Sequence, residues 1–136
     1  MKEQYMITHE PPNPVDYNNL RLEGGMSGKS HEASEEGLKN SLFVVCVYDE
    51  ETFIGMGRVI GDGGTFFQVV DIVVKPGYQG QGLGKLIMEH IMNFLEKHTY
   101  PDSYVSLIAD GSADKLYKQF GFSYTYPKSQ GMYRKY

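Results

Sequence analysis

The sequence predicts an α+β fold, a mostly antiparallel sheet with one parallel crossover in its middle. Three observations lead there. Apolar, β-branched runs separated by tight turn signals fill residues 42–74. The spacing of apolar residues then changes from strand-like to helical at Leu83. A further apolar run follows that helix at residues 104–109, so it lies parallel to the strand before the helix.

Taken in order, residues 9–41 are broken by Pro11, Pro12 and Pro14 and again by Gly24, Gly25 and Gly28. Short helices are expected at 16–23 and 34–39. Residues 42–48 read as a strand buried on both faces, and Asp49, Glu50 and Glu51 make the turn. Residues 52–60 form the second strand, in which Gly55 and Gly57 leave room for a close neighbour. Gly61-Asp62-Gly63-Gly64 turns the chain into a third strand over 65–74, which stops at Lys75-Pro76-Gly77. The three strands make an antiparallel meander.

Leu83, Leu86, Ile87, Ile91, Phe94 and Leu95 then share one helical face, while Lys85, Glu89, Asn93 and Glu96 face away. The pattern spans about sixteen residues. After the strand at 104–109, residues 112–120 form a short helix stopped by Gly121. Residues 122–126 and 132–136 close the reading as a pair of strands, and the last of them leaves a homodimer open through edge pairing.

The bulk properties narrow the class. One domain spanning 1–136 is expected from 136 residues, 40% of them hydrophobic. A net charge of −4 and a pI near 5.5 offer no basic face for a nucleic acid. Cys46 is the only cysteine, so no intramolecular disulfide can form and a reducing compartment is expected. The polar, proline-bearing N-terminus predicts neither a signal peptide nor a membrane span, hence a cytoplasmic protein. His9, His31, His90 and His98 show no metal-ligand spacing, so no metal is expected.

The chemistry concentrates where the third strand hands over to the helix. Gln79-Gly80-Gln81-Gly82-Leu83-Gly84-Lys85 alternates glycine with other residues at a helix start. The first N–H groups of a helix lack internal partners and, with the helix dipole, favour an anion such as a phosphate. A dinucleotide fingerprint needs glycine where Lys85 stands. Gly24-Gly25-Met26-Ser27-Gly28-Lys29-Ser30 imitates a P-loop, but Glu23 occupies its first glycine position and no apolar strand precedes it.

The run Gln79-Gly80-Gln81-Gly82-Leu83-Gly84 resembles the Q/R-x-x-G-x-G/A signature of the GNAT family of N-acetyltransferases. Residues Ala113-Asp114-Lys115-Leu116-Tyr117-Lys118-Gln119-Phe120-Gly121-Phe122 resemble that family's A-x-x-LY-x-x-x-GF segment. The resemblance covers well over half of the chain. It implies a GNAT-type fold in which a central parallel strand pair splays apart and is flanked by helices.

It also implies acetyl-CoA as co-substrate, with the pantetheine arm pairing with the backbone of Ile72, Val73 and Val74. The pyrophosphate is expected on the amides of Gln79, Gly80, Gln81, Gly82, Leu83, Gly84 and Lys85. Asp110 stands where the family often has an asparagine that contacts pantetheine. Tyr117 matches the tyrosine that protonates the departing thiolate. Gln68 stands where some members carry a glutamate base, cannot act as one, and is counted instead among the substrate contacts.

Asp71 interrupts an apolar strand and reads as either a base reached through water or a structural hydrogen-bonding group. Arg58, on the paired strand, reads as a substrate contact or as the ion partner of Asp71. His31 is a further substrate candidate, from its place in a glycine-rich loop. Cys46 reads as core. Met88 and Met92 share a helix face and read as packing. Glu32, Glu35 and Glu36 read as a solvated face or as a lure for a cationic amine. The expected reaction is acetyl transfer to the amine of a small molecule. A protein lysine or N-terminus as acceptor, and a non-catalytic CoA-binding sensor, remain as alternatives.

Overall fold

The computed structural model describes residues 5–136. Its elements run β1 (Tyr5–Thr8), α1 (Pro14–Glu23), α2 (His31–Lys39), β2 (Phe43–Asp49), β3 (Thr52–Gly61), β4 (Phe66–Val74), α3 (Leu83–His98), β5 (Tyr104–Leu107) and α4 (Asp114–Lys118). The strands form one sheet in the order β1-β2-β3-β4-β5. β1 to β4 pair antiparallel, and β4 with β5 parallel. The expected mixed sheet with one parallel pair is therefore present, but among the described residues that pair lies at the edge of the sheet and not in its middle, because residues 122–126 and 132–136 add no strands beyond β5.

Local chemistry sets the helix bounds. Asn13 caps α1 by accepting from the Asp16 N–H at 2.9 Å, and Pro14 fits the first turn, where an N–H would be unpaired anyway. Ser30 caps α2 in the same way, accepting from Ala33 N at 3.1 Å. The Asn13 cap starts α1 two residues earlier than the expected start at Asp16. The Ser30 cap starts α2 three residues before the expected Ser34.

The sheet carries a core on each face. Val45, Val47, Val59, Phe67 and Val69 pack against the apolar stripe of α3, made of Leu83, Ile87, Met88, Ile91 and Leu95. Val44, Cys46, Met56 and Val73 pack against Tyr17 and Leu20 of α1 and Leu38 of α2. Gly57 lets α3 lie close, since a Cβ there would stand 2.7 Å from both Ile72 Cδ1 and Ile87 Cγ2.

The structure corrects the reading at both ends. β1 joins the sheet beside β2, with Ile7 opposite Val47, where no strand was expected. Residues 122–126 and 132–136 form no strands. A strand of that kind needs a face to bury, and Tyr124, Tyr126, Met132, Tyr133 and Tyr136 are all exposed. Pro127 also removes a ladder donor. β5 stops at Leu107 rather than Ala109, because Ile108 and Ala109 have already left β4. α4 is confined to Asp114–Lys118, shorter than the expected 112–120.

Candidate active site

The site begins with a fault in β4. Met56 pairs with Val73 and Arg58 with Val70, so Gly57 faces two residues, Asp71 and Ile72. This is a β-bulge, and Asp71 carries its positive φ of 59°. In unbroken alternation Asp71 would share the face of Val69 and point at α3. The extra residue turns it to the other layer instead. There it accepts from Tyr17 Oη at 2.7 Å and Arg58 Nε at 2.9 Å, and pairs with Arg21 Nη1.

Beyond the bulge, β4 and β5 separate. Their ladder runs from Phe66 opposite Tyr104 to Val69 opposite Leu107 and goes no further. Lys75 N–H turns to Ile54 O at 2.7 Å, on the β3 side. Alternation then aims the backbone of Val74 and Ile72 away from β3, into the gap. Gln79 Nε2 donates to Val74 O there at 2.9 Å. The gap is an open strand edge able to pair with an extended ligand.

That edge leads into the turn at 79–85. Gly80 and Gly82 adopt φ of 80° and 85°, and a Cβ at either would meet no atom within 4 Å. The backbone is therefore bare on its outer side. Gly82 caps α3 without a side-chain bond, and the first turn of α3 holds no acid. Its leading N–H groups have no local anion to serve. Tyr78 Oη donates to Asp49 at 2.8 Å, and Tyr5 Oη donates to Gln81 at 3.2 Å, fastening the turn to β1 and β2. Gly84 serves a different end. A Cβ there would touch Leu116 of α4 at 3.4 Å, so its smallness seats α4 against the start of α3.

α4 delivers Tyr117, 7% exposed, to the mouth of the gap. Its ring meets Phe122 edge-on at 6.4 Å, and no described residue bonds its hydroxyl. Burial, and then the nearby charge of Asp110, raise its pKa above the ordinary tyrosine value. The phenol therefore holds its proton and is available as a donor.

The resulting cleft is about 810 Å³, the size of a small-molecule site. It brings together Gln68, Asp71, Ile72, Gln79, Asp110 and Tyr117. Val73 and Leu83 turn their side chains into the core and can offer only backbone. Two expected substrate residues lie elsewhere. Arg58 spends its donors on Asp71, Gly37 O, Ser41 Oγ and Tyr17 Oη, so of its two readings the ion partner is the one the geometry supplies. His31 is exposed at the first position of α2, outside the cleft.

Arg21 and residues Gly24 to Ser27 also wall the cleft, within the segment 16–36 where the sequence leads one to expect the acceptor wall, although it singles out no role for Arg21. Their signal was the spacing of Tyr17, Leu20 and Arg21 on one face of a capped helix. Among the described residues, no three His, Cys, Asp or Glu side chains gather to hold a metal. No helix among them is long and apolar enough to cross a membrane.

A mixed sheet whose parallel pair splays beside a glycine-bared helix start defines the acyl-CoA N-acyltransferase class of fold. The acetyltransferase (GNAT) domain family matches residues 26–132, and the chain belongs to that family. It is 56% identical, with a TM-score of 0.94, to the crystal structure of SA2161, a protein of unknown function from meticillin-resistant Staphylococcus aureus. That match covers 97% of this chain and 99% of the other. The GNAT family protein SP0256 from Streptococcus pneumoniae TIGR4 shares the fold, with a TM-score of 0.78 at 24% identity over 96% and 98% of the two chains. Histone acetyltransferase TAP1 of Glycine max is 30% identical over 71% of this chain. The chain spans only 46% of that relative's length.

Proposed function

We propose that this chain transfers the acetyl group of acetyl-CoA to the primary amine of a small molecule, by direct attack in a ternary complex. The observation that carries the reading is the continuity of one surface. Ile72 of the free β4 edge, Gln79 at the start of the bare turn and the protonated Tyr117 all line one cleft.

In this reading pantetheine lies along the β4 edge at Ile72, Val73 and Val74, and the pyrophosphate rests on the amides of the 79–85 turn. The amine nitrogen attacks the thioester carbonyl and a tetrahedral intermediate forms. It collapses as the carbon–sulfur bond breaks, Tyr117 gives its proton to the leaving thiolate, and the proton shed by the attacking nitrogen passes through solvent to restore the phenol. Asp71, held by Tyr17, Arg21 and Arg58, serves as a counter-ion that fixes the wall of the cleft.

A small acceptor is favoured by the enclosure of the cleft. The segment from Gly24 to Ser27 covers one side, and Lys135 of the C-terminal tail reaches Ser27 Oγ at 3.4 Å. One observation favours a protein acceptor instead, namely the kinship with a histone acetyltransferase. Thiol release from acetyl-CoA, measured against amino acids, amino sugars, polyamines and peptides, tests the reading. Faster release with small amines than with peptides supports it. Turnover confined to peptides, or binding of acetyl-CoA with no acceptor-dependent release, sinks it.

A further inference from the structure

Arg21 stands at the last turn of α1 with only 8% of its surface exposed. Its Nε donates to Ser27 O at 3.0 Å, and its Nη1 is shared between Asp71 Oδ1 and Met26 Sδ. Both N–H groups of Nη2 donate to no described residue. They are not sealed away, because no buried side-chain nitrogen or oxygen among the described residues lacks a partner. Arg21 forms part of the cleft wall, and Nη2 is the part of its guanidinium left without a described partner.

The charge around it is unbalanced. Arg21 and Arg58 share the single carboxylate of Asp71, which leaves one positive charge in a buried cluster. Every nitrogen of the Arg58 guanidinium has a described partner, whereas Nη2 of Arg21 has none, so the surplus is presented by Arg21. Lys135 adds a second cation beside Ser27, on the same side. The one other carboxylate lining the cleft is Asp110, which stands with Tyr117 at the β5 and α4 side. The thioester end of acetyl-CoA is neutral and does not answer this charge.

We infer that Arg21 anchors an anionic group carried by the acceptor amine itself, a carboxylate or a phosphate. The inference rests on the reading of the chain as an amine acetyltransferase. A guanidinium fork matches the oxygens of either group, and a hydrogen bond to a charged partner is stronger than a neutral one. The bound anion would complete the neutralisation that Asp71 alone leaves unfinished. Acceptors that are only cationic, such as polyamines, meet a repulsive wall.

The experiment measures thiol release with acceptors offered in pairs. One pair is an amino acid and its carboxamide. The other is an amino-sugar phosphate and the same sugar without phosphate. The anionic member of at least one pair should be favoured about tenfold or more in kcat/KM, the range of one charge-assisted contact. Whichever pair shows the preference identifies the group. Arg21→Gln should collapse that preference, chiefly through KM of the anionic member, and Arg21→Lys should restore part of it.

Equal use of both members of both pairs by the unaltered protein overturns the inference, whether or not the variants fold. So does an Arg21→Gln variant that slows both members of a pair alike, since that is the mark of a merely structural residue. Absence of turnover with every acceptor, anionic or neutral, overturns the transferase reading first and the inference with it.

Discussion

Arg58 Nε lies 2.9 Å from Asp71 Oδ2, across the one place where β3 and β4 fall out of register. The bulge and the ion pair explain each other. Without the extra residue Asp71 would face the apolar stripe of α3. Without Arg21, Arg58 and Tyr17, a carboxylate with a side chain only 5% exposed would be buried uncompensated.

Asp71→Asn should therefore be costly to the fold. It removes the one negative charge between two buried guanidinium groups. Loss of one partner from a buried ion cluster costs about 3–5 kcal/mol. Denaturant unfolding followed by circular dichroism should show a loss of that order. A loss below about 1 kcal/mol would sink the counter-ion assignment.

Tyr117→Phe keeps the ring beside Phe122 and removes the proton. Acceptor-dependent thiol release should fall by about 10²–10⁴ in kcat, with the KM for acetyl-CoA little changed. The raised pKa of Tyr117 also has a sign that can be checked. The protonated form is the donor, so a pKa above the ordinary 10 moves the alkaline loss of activity upward. In the kcat profile, an alkaline limb that begins below pH 9 and disappears in Tyr117→Phe would contradict this.

Gly82→Ala places a Cβ on a residue with φ of 85° at the head of α3. The left-handed conformation costs about 1–2 kcal/mol for any residue with a Cβ. A shift of the backbone amides away from their present directions would weaken an anion on the turn. The KM for acetyl-CoA should rise about tenfold, the effect of about 1.4 kcal/mol. Isothermal titration with CoA would show the same loss. Unchanged affinity would place the pyrophosphate elsewhere.

Alkaline pH should unfold the protein through its buried acids. Burial pushes the Cys46 thiol from 9.0 up to about 12, and it raises Tyr17 as well, with the charge of Asp71 as the next cause. Both groups are neutral when protonated, and the native state keeps those protons longer than the unfolded chain. Their stabilising effect is complete below the unfolded values and is lost as pH rises toward the folded ones. Between pH 9 and 12, Cys46 alone should lower stability by about 1.4 kcal/mol per pH unit. Cys46→Val should flatten that part of the curve in a urea-midpoint series. An equal slope in both proteins would refute the assignment.

Much of the sheet was legible because its signals are local. Apolar runs, the glycine turn at Gly61 to Gly64 and the helical stripe of α3 each lie within about fifteen residues of chain. The glycines before α3 and the Tyr117 segment were legible for the same reason. β1 was not, since four residues carry too little pattern and its partner Asp49 lies far along the chain. Nor was the role of Arg21. Its acid partner stands 50 residues away, on a face that only the bulge exposes to it. The C-terminal tyrosines looked like strand residues, yet strand propensity takes effect only where a face is buried, and theirs is in solvent.

The bulge also makes β4 a strand read in two frames. Before Asp71, odd positions such as Phe67 and Val69 belong to the α3 layer; after it, Ile72 takes that layer and odd-numbered Val73 joins the α1 side. Removing one residue at position 71 would leave composition almost untouched. It would set Ile72 opposite Gly57 and restore one regular frame, with Ile72, Val73 and Val74 still in the layers they hold now. A deletion at this site should therefore spare the strand downstream and cost what the loss of the carboxylate between Arg21 and Arg58 costs, since the extra residue supplies a single acid set out of phase with its neighbours.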